Sequence, residues 1–275
     1  MNDALRSLLI GLGDDELVLG HRHSEWTGYA PHIEEDVAFS SIAQDEIGHA
    51  AAYYSLASSD PDALALGRST GDYRHAVLCE RPNQDWAFTL ARHWLYDHAD
   101  ALRLETLESS SHDELAALTR KIRREERYHL IHADTWIRRV AQGPAEGRSK
   151  LVDAMARAWP EARGLFEPFE HEDEAVGKGW LPEPSEALGM RWAKETAEAL
   201  DELGLPTEIH GRADESAEFV ASSSGDLIEG AGNGEPAHPE GPDGFGGRRG
   251  RHSDDFAELW EVMTGQYRAH PGATW

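Results

Sequence analysis

The chain has 275 residues, 40% of them apolar, and its 51 acidic against 26 basic residues leave a formal net charge of −25. A field of that sign repels nucleic acid and anionic lipid surfaces, which need clustered Lys and Arg to displace counterions, so neither is an expected partner. Cys79 is the single cysteine, which excludes an internal disulfide and a thiolate-rich metal site, and no apolar run approaches the ~18 residues of a membrane span.

The N-terminus, MNDALRSLLIGLGDDE, lacks a basic leader region and a small-residue cleavage site, so a cytoplasmic protein is expected. Only Lys121, Lys150, Lys178 and Lys194 are lysines. Excess acid with few lysines fits adaptation to high salt, where screening weakens self-repulsion, or an ordinary acidic protein of Arg-rich coding.

Apolar residues recur at three- and four-residue spacing along six stretches with no competing strand pattern, which predicts an all-α fold. The first stretch carries Leu5, Leu8, Leu9, Leu12, Glu16 and Leu19. The second starts after Pro31 with Ile33, Val37, Ile42, Glu46, His49 and Tyr53, and a loop is expected from about 58 to 72. The third opens after Pro82 and Asn83, with Trp86, Leu90, His93, Asp97, Ala101 and Leu104 on one face. The fourth opens at SSSHDE, where Ser and Asp cap well, and runs through Leu115, Leu118, Ile122, Glu126, His129, Ala133 and Trp136. A fifth is expected at about 147–159, ending before Pro160, and a sixth at about 184–203, ending at Gly204 and Pro206.

These stretches make residues 1–206 a helical bundle domain. From 207 to 252 the chain is rich in Gly, Ser, Pro and Glu, too poor in apolar surface to order itself, and is expected to be flexible or ordered by a partner. Residues 253–275 close with an amphipathic helix bearing Phe256, Leu259, Trp260 and Met263, which packs on its own bundle or on a partner chain.

Two of the stretches carry the same motif, Glu46-x-x-His49 and Glu126-x-x-His129. Residues i and i+3 share a helix face, so each pair can grip one cation. In carboxylate-bridged bundles two such helices face one another and two further helices each give one acid. Glu16 on the first stretch and Asp97 on the third lie on the apolar stripe and complete the set. An ionised carboxylate in a core loses several kcal/mol of hydration unless a cation or hydrogen bond replaces it. Mixed oxygen and nitrogen ligation favours iron or manganese over thiolate-loving metals.

Either motif alone reads as a solvated surface pair; both in register with apolar stripes read as a metal site. The adjacent acids Glu35, Asp45 and Glu125 are supporting or surface groups. His132 is a core histidine or a supporting donor. His21, His23, His93, His98 and Trp26, Trp86, Trp94, Trp136 are read as core. Arg120, Arg123 and Arg124 are read as a solvated helix face, with contact to an anionic ligand the alternative.

The stretches GDDELVLGHRHSEWTG, IEEDVAFSSIAQDEIGHAA, LCERPNQDWAFTLARHWLYDHA and KIRREERYHLIHADTW, with the tail GGRRGRHSDDFAELWEVM, resemble the phenylacetic acid catabolic protein family. They are similar in particular to the C-type subunits of ring-1,2-phenylacetyl-CoA epoxidases. The resemblance implies a ferritin-like bundle in a multicomponent monooxygenase, paired with a catalytic A-type subunit of the same fold and served by a reductase. The implied reaction epoxidises the ring of phenylacetyl-CoA with dioxygen. It also implies a structural role, since C-type subunits have generally lost part of the ligand set. This chain departs from that pattern by keeping Glu46 and His49. Three readings follow: a di-iron oxygenase subunit with Glu16, Glu46 and His49 on one iron and Asp97, Glu126 and His129 on the other; a scaffold without metal; or a ferritin-like iron-handling protein.

Overall fold

A computed structural model describes residues 1–210 and 244–273 and is helical, with no strand among the described residues. The helices are α1 (Asp3–Ser24), α2 (Ile33–Ala57), α3 (Pro61–Leu66), α4 (Val77–Glu80), α5 (Trp86–Leu107), α6 (Asp113–Ala141), α7 (Ala145–Ala162), α8 (Glu172–Gly177), α9 (Ser185–Glu202) and α10 (Asp254–Ala269). Two hairpins, α1/α2 and α5/α6, form the central bundle, and α2 meets α6 across it. A long crossover carrying α3 and α4 joins the hairpins, the connectivity of ferritin-like bundles.

Local chemistry sets the helix starts. The side chains of Asn2 and Asp85 accept the amides of Ala4 and Phe88 at 2.9 and 3.0 Å, capping α1 and α5. The cap of α6 is His112, whose ring accepts the Leu115 amide, rather than the serine or aspartate read from SSSHDE. Ser110 instead donates to the carbonyl of Trp180 at 2.7 Å, tying the α5/α6 turn to the segment before α9. Helix α7 runs through Pro160 to Ala162 instead of stopping before it. Only the last turn is affected, and the Pro160 carbonyl is taken up by Arg163 Nε at 3.0 Å.

The stretch expected as loop from 58 to 72 contains α3, capped by Asp60 with Pro61 in its first turn, and a 3-10 turn at Thr70–Asp72. Outside the bundle, α7 and α9 cover α5, with the indoles of Trp159 and Trp192 stacked at 4.7 Å. Trp192 donates to the Leu95 carbonyl at 3.1 Å.

Of the segment expected to be flexible, 211–243 lie outside the described residues, whereas 244–248 are buried or half-buried against the bundle. Arg248 is 1% exposed and grips Asp15 with both guanidinium nitrogens, at 2.9 and 2.6 Å. Helix α10 follows and docks on its own chain: Phe256, Leu259 and Met263 are buried against α3 and α4.

Candidate metal centre

Helices α1 and α2 are held unusually close where the acids lie. A Cβ on Gly20 would sit 2.9 Å from Ile47 Cγ1, 3.1 Å from Glu46 Cβ and 3.2 Å from the Ala43 carbonyl. Only glycine admits that approach, and it brings the Glu16 and Glu46 stripes together.

All six residues proposed from the two motifs and their companion acids are buried: Glu16 2%, Glu46 1%, His49 3%, Asp97 2%, Glu126 5% and His129 0% exposed. The donor atoms of Glu16, His49 and Glu126 all lie within 4.8 Å of one another. His49 Nδ1 is 3.3 Å from Glu16 Oε2 and 3.1 Å from Glu126 Oε1, and His129 Nδ1 is 3.0 Å from the same Glu126 oxygen. Tyr96 on α5 donates to the other oxygen of Glu16 at 2.9 Å.

Glu46 and Asp97 stand apart from that trio. Glu46 turns Oε2 toward His23 Nδ1 at 2.9 Å and leaves Oε1 buried without a partner. Among the described residues Asp97 has no hydrogen-bond partner on either oxygen, its ion-pair contact being His93 Nδ1 at 3.3 Å.

Two neighbouring buried acids on α1 are treated differently. Asp14 is paired with Arg68, and Asp15 with Arg248 and Arg103. Among the described residues, the ion pairs of Glu16, Glu46, Asp97 and Glu126 run to histidines only. Four carboxylates without guanidinium partners, several oxygens unsatisfied, formally balance two divalent cations.

Without a cation the cluster balances itself with protons. Burial pushes the Glu46 and Asp97 carboxyls well above their ordinary range, and it also raises Glu16. Burial works against a charged His49, yet hydrogen bonds and charge from Glu126 and Glu16 push it up to about 11. His129 is likewise raised against burial, chiefly by the Glu126 charge. Glu126, opposed by burial, is pulled down to about 2 by the two imidazoles. The group therefore presents imidazolium where a metal would need a lone pair, and metal and proton compete for it.

The acid preceding each motif glutamate supports the histidine of the opposite helix. Glu125 Oε2 on α6 lies 3.0 Å from His49 Nε2, and Asp45 Oδ2 on α2 lies 3.3 Å from His129 Nε2. Each imidazole is thereby fixed with Nδ1 inward, the arrangement that holds metal-binding histidines. In sequence these acids read only as supporting or surface groups, because the register of α2 against α6 is not written in either stripe.

His23 and His93 are buried, as expected of core histidines, but they contact candidate ligands. His93 Nε2 lies 3.3 Å from His132 Nδ1, and His132 Nε2 lies 2.8 Å from Glu35, so a file of polar groups leads from Asp97 to the α2/α6 seam. The signal was spacing: His23 lies two turns beyond Glu16, and His93 one turn before Asp97. His98 pairs with Asp134 at 3.0 Å away from the centre, and His21 is half-buried. Trp94 is core, while Trp26, Trp86 and Trp136 are half-buried in an aromatic cluster. Arg120 and Arg124 are solvent-exposed and Arg123 pairs with Glu108 at 2.8 Å, which makes this a solvated face.

The family profile described as phenylacetic acid catabolic protein matches residues 1–227. Among curated relatives, the C-type subunit of 1,2-phenylacetyl-CoA epoxidase from Escherichia coli (strain K12) is 33% identical over 168 residues, spanning 59% of this chain and 68% of that protein. The A-type subunit of the same enzyme, from the same organism, is 27% identical over 184 residues, 61% of this chain and 57% of that protein. A bundle of this connectivity, its paired Glu-x-x-His helices and these matches agree: the chain belongs to the phenylacetic acid catabolic protein family.

Proposed function

We propose that this chain is a cytoplasmic subunit of a phenylacetyl-CoA epoxidase in phenylacetate catabolism, pairs with an A-type subunit of the same family, and holds two iron ions through Glu16, Glu46, His49, Asp97, Glu126 and His129. The observation that carries the reading is the pair of inward-aimed imidazoles, each supported by an acid from the facing helix, among four buried carboxylates that no arginine of the described residues neutralises. The likeness to both epoxidase subunits supports the pathway and the partnership.

Iron bound there supplies redox chemistry toward dioxygen, with electrons delivered by a reductase component. The chain's own part is positional. Asp45 and Glu125 fix the imidazole orientation, Tyr96 holds Glu16 by one oxygen, and the apolar stripes exclude water around the donors. Among the described residues no helix is long and apolar enough to cross a membrane.

A second reading, a scaffold that supports a catalytic A-type homologue without metal of its own, is favoured by the higher identity to the C-type relative than to the A-type one. Reconstitution separates the two. The complex is assembled with reductase and an A-type subunit, and epoxide formation from phenylacetyl-CoA is compared for this chain and its Glu46→Ala variant. Loss of more than about tenfold in turnover with an intact complex supports a working centre here. Unchanged turnover supports the scaffold.

A further inference from the structure

A second constellation of metal-binding side chains lies outside the bundle centre and shares no residue with it. His75 precedes α4, Glu80 ends it, and His252 sits in the strap that leads into α10. Their donor atoms all lie within 4.8 Å of one another. His75 and Glu80 are 0% exposed, and the side chain of His252 is 4% exposed.

The contacts converge on one point. His75 Nε2 is 2.7 Å and His252 Nδ1 is 2.8 Å from the same oxygen, Glu80 Oε2. The two imidazoles stack with centroids 4.0 Å apart and planes 15° from parallel. His252 Nε2 faces the Tyr73 carbonyl at 3.1 Å, and Glu80 Oε1 accepts both the amide and the hydroxyl of Ser253 at 2.7 Å. His75 Nδ1 is buried without a partner, so the ring's polar engagement is the one at the shared point.

His252 faces an oxygen at each ring nitrogen, Glu80 Oε2 at Nδ1 and the Tyr73 carbonyl at Nε2, and lies face to face on a second imidazole. A cation at the shared point takes one lone pair from each imidazole. Both imidazoles are then neutral, His252 gives its Nε2 proton to the Tyr73 carbonyl, and Glu80 offers one oxygen while Ser253 holds the other. Ligating histidines commonly donate their second N–H to a carbonyl, and ligating carboxylates are themselves hydrogen-bonded. Seating an ion with tetrahedral bonds of about 2.0–2.2 Å places donors about 3.3–3.6 Å apart, so Glu80 Oε2 draws back from the two nitrogens by roughly 0.5–0.9 Å and the stacked rings turn toward the ion.

We propose that His75, Glu80 and His252 form a structural site for one divalent transition-metal ion of the zinc class, which staples the C-terminal strap and α10 onto α4. Two imidazoles and a carboxylate without thiolate suit zinc, and the three segments come together only in the folded chain. Binding is thereby linked to stability of the folded state.

The test uses the full chain stripped with chelator and titrated with Zn(II), beside His252→Ala and His252→Gln. The parent is expected to bind one zinc more than either variant, and this loss is expected to add to that caused by His129→Ala. A hundredfold excess of zinc over its Kd is expected to raise the parent Tm by roughly 5–10 °C more than that of His252→Ala. The glutamine variant keeps an N–H donor for Glu80, so its loss of zinc separates a metal from a hydrogen-bonded clip. Equal zinc counts in parent and variants overturn the site. If a variant loses its helical circular dichroism, X-ray absorption at the zinc edge of a His49→Ala, His129→Ala double variant loaded with one equivalent decides, since that chain keeps no imidazole among the six bundle candidates: two imidazole nitrogens and a carboxylate oxygen at ~2.0–2.1 Å support the site, and a shell without imidazole overturns it.

Discussion

Asp45 and Glu125 have side chains 42% and 40% exposed, yet each ends on an imidazole nitrogen of the facing helix. Exposure makes them nearly dispensable for folding, while position makes them matter for ligand orientation. Asp45→Asn or Glu125→Gln is therefore expected to weaken ferrous binding about 10–100-fold and to move Tm by no more than ~2 °C. Equal affinity, measured by anaerobic titration, would contradict the supporting role. His49 carries a pH prediction. Against the opposing effect of burial, Glu126 and Glu16 push it up to about 11, so at neutral pH a cation must displace its proton. Affinity should rise with pH by ~tenfold per unit for each proton displaced, with proton release visible by calorimetry in buffers of different ionisation enthalpy. A pH-independent affinity would contradict it. The burial of the six candidate ligands was legible because each sits on a stripe at helical spacing. The contacts of His23 and His93 with Glu46 and Asp97 were not, because a single-helix pattern does not say which side chain of another helix it meets.

At the scale of elements, two contacts hold the frame around the centre. Gly20 sets the approach of α1 to α2, and the Ala43 carbonyl, 3.2 Å from a Cβ built there, belongs to backbone that cannot simply swing away. Gly20→Ala is expected to cost about 1–3 kcal/mol by chemical denaturation through the forced separation of the hairpin. Arg248 enters the core from the strap and is the bidentate partner of Asp15. Arg248→Ala leaves a buried carboxylate short of its main counter-charge, and a loss of about 3–5 kcal/mol is expected, with faster proteolysis near α10. An unchanged denaturation midpoint would contradict it. Composition misled at this scale for a physical reason. GGRRGRH holds too little apolar surface to order itself, but Arg248 is ordered by charge, in a slot that already holds Asp15. The Asp60-Pro61 start of α3 was a readable cap signal, obscured by the polar run around it.

For the whole molecule, family membership and metal content pull on the same residues in different directions. The likeness to a C-type subunit speaks for support of a partner, while four buried carboxylates whose ion pairs run to histidines only speak for cations in this chain. The all-α bundle was legible from periodicity, and the facing of α2 and α6 from the motif they share. Their register was not, because it depends on how four stripes dock at once. Metal stoichiometry addresses the central claim most directly. The purified full chain is loaded anaerobically with ferrous iron, freed of excess and analysed for iron per chain, alongside Glu46→Ala and His129→Ala. The account predicts about two irons in the parent and their loss in both variants. A parent that retains no iron, while still pairing with an A-type subunit, would contradict it.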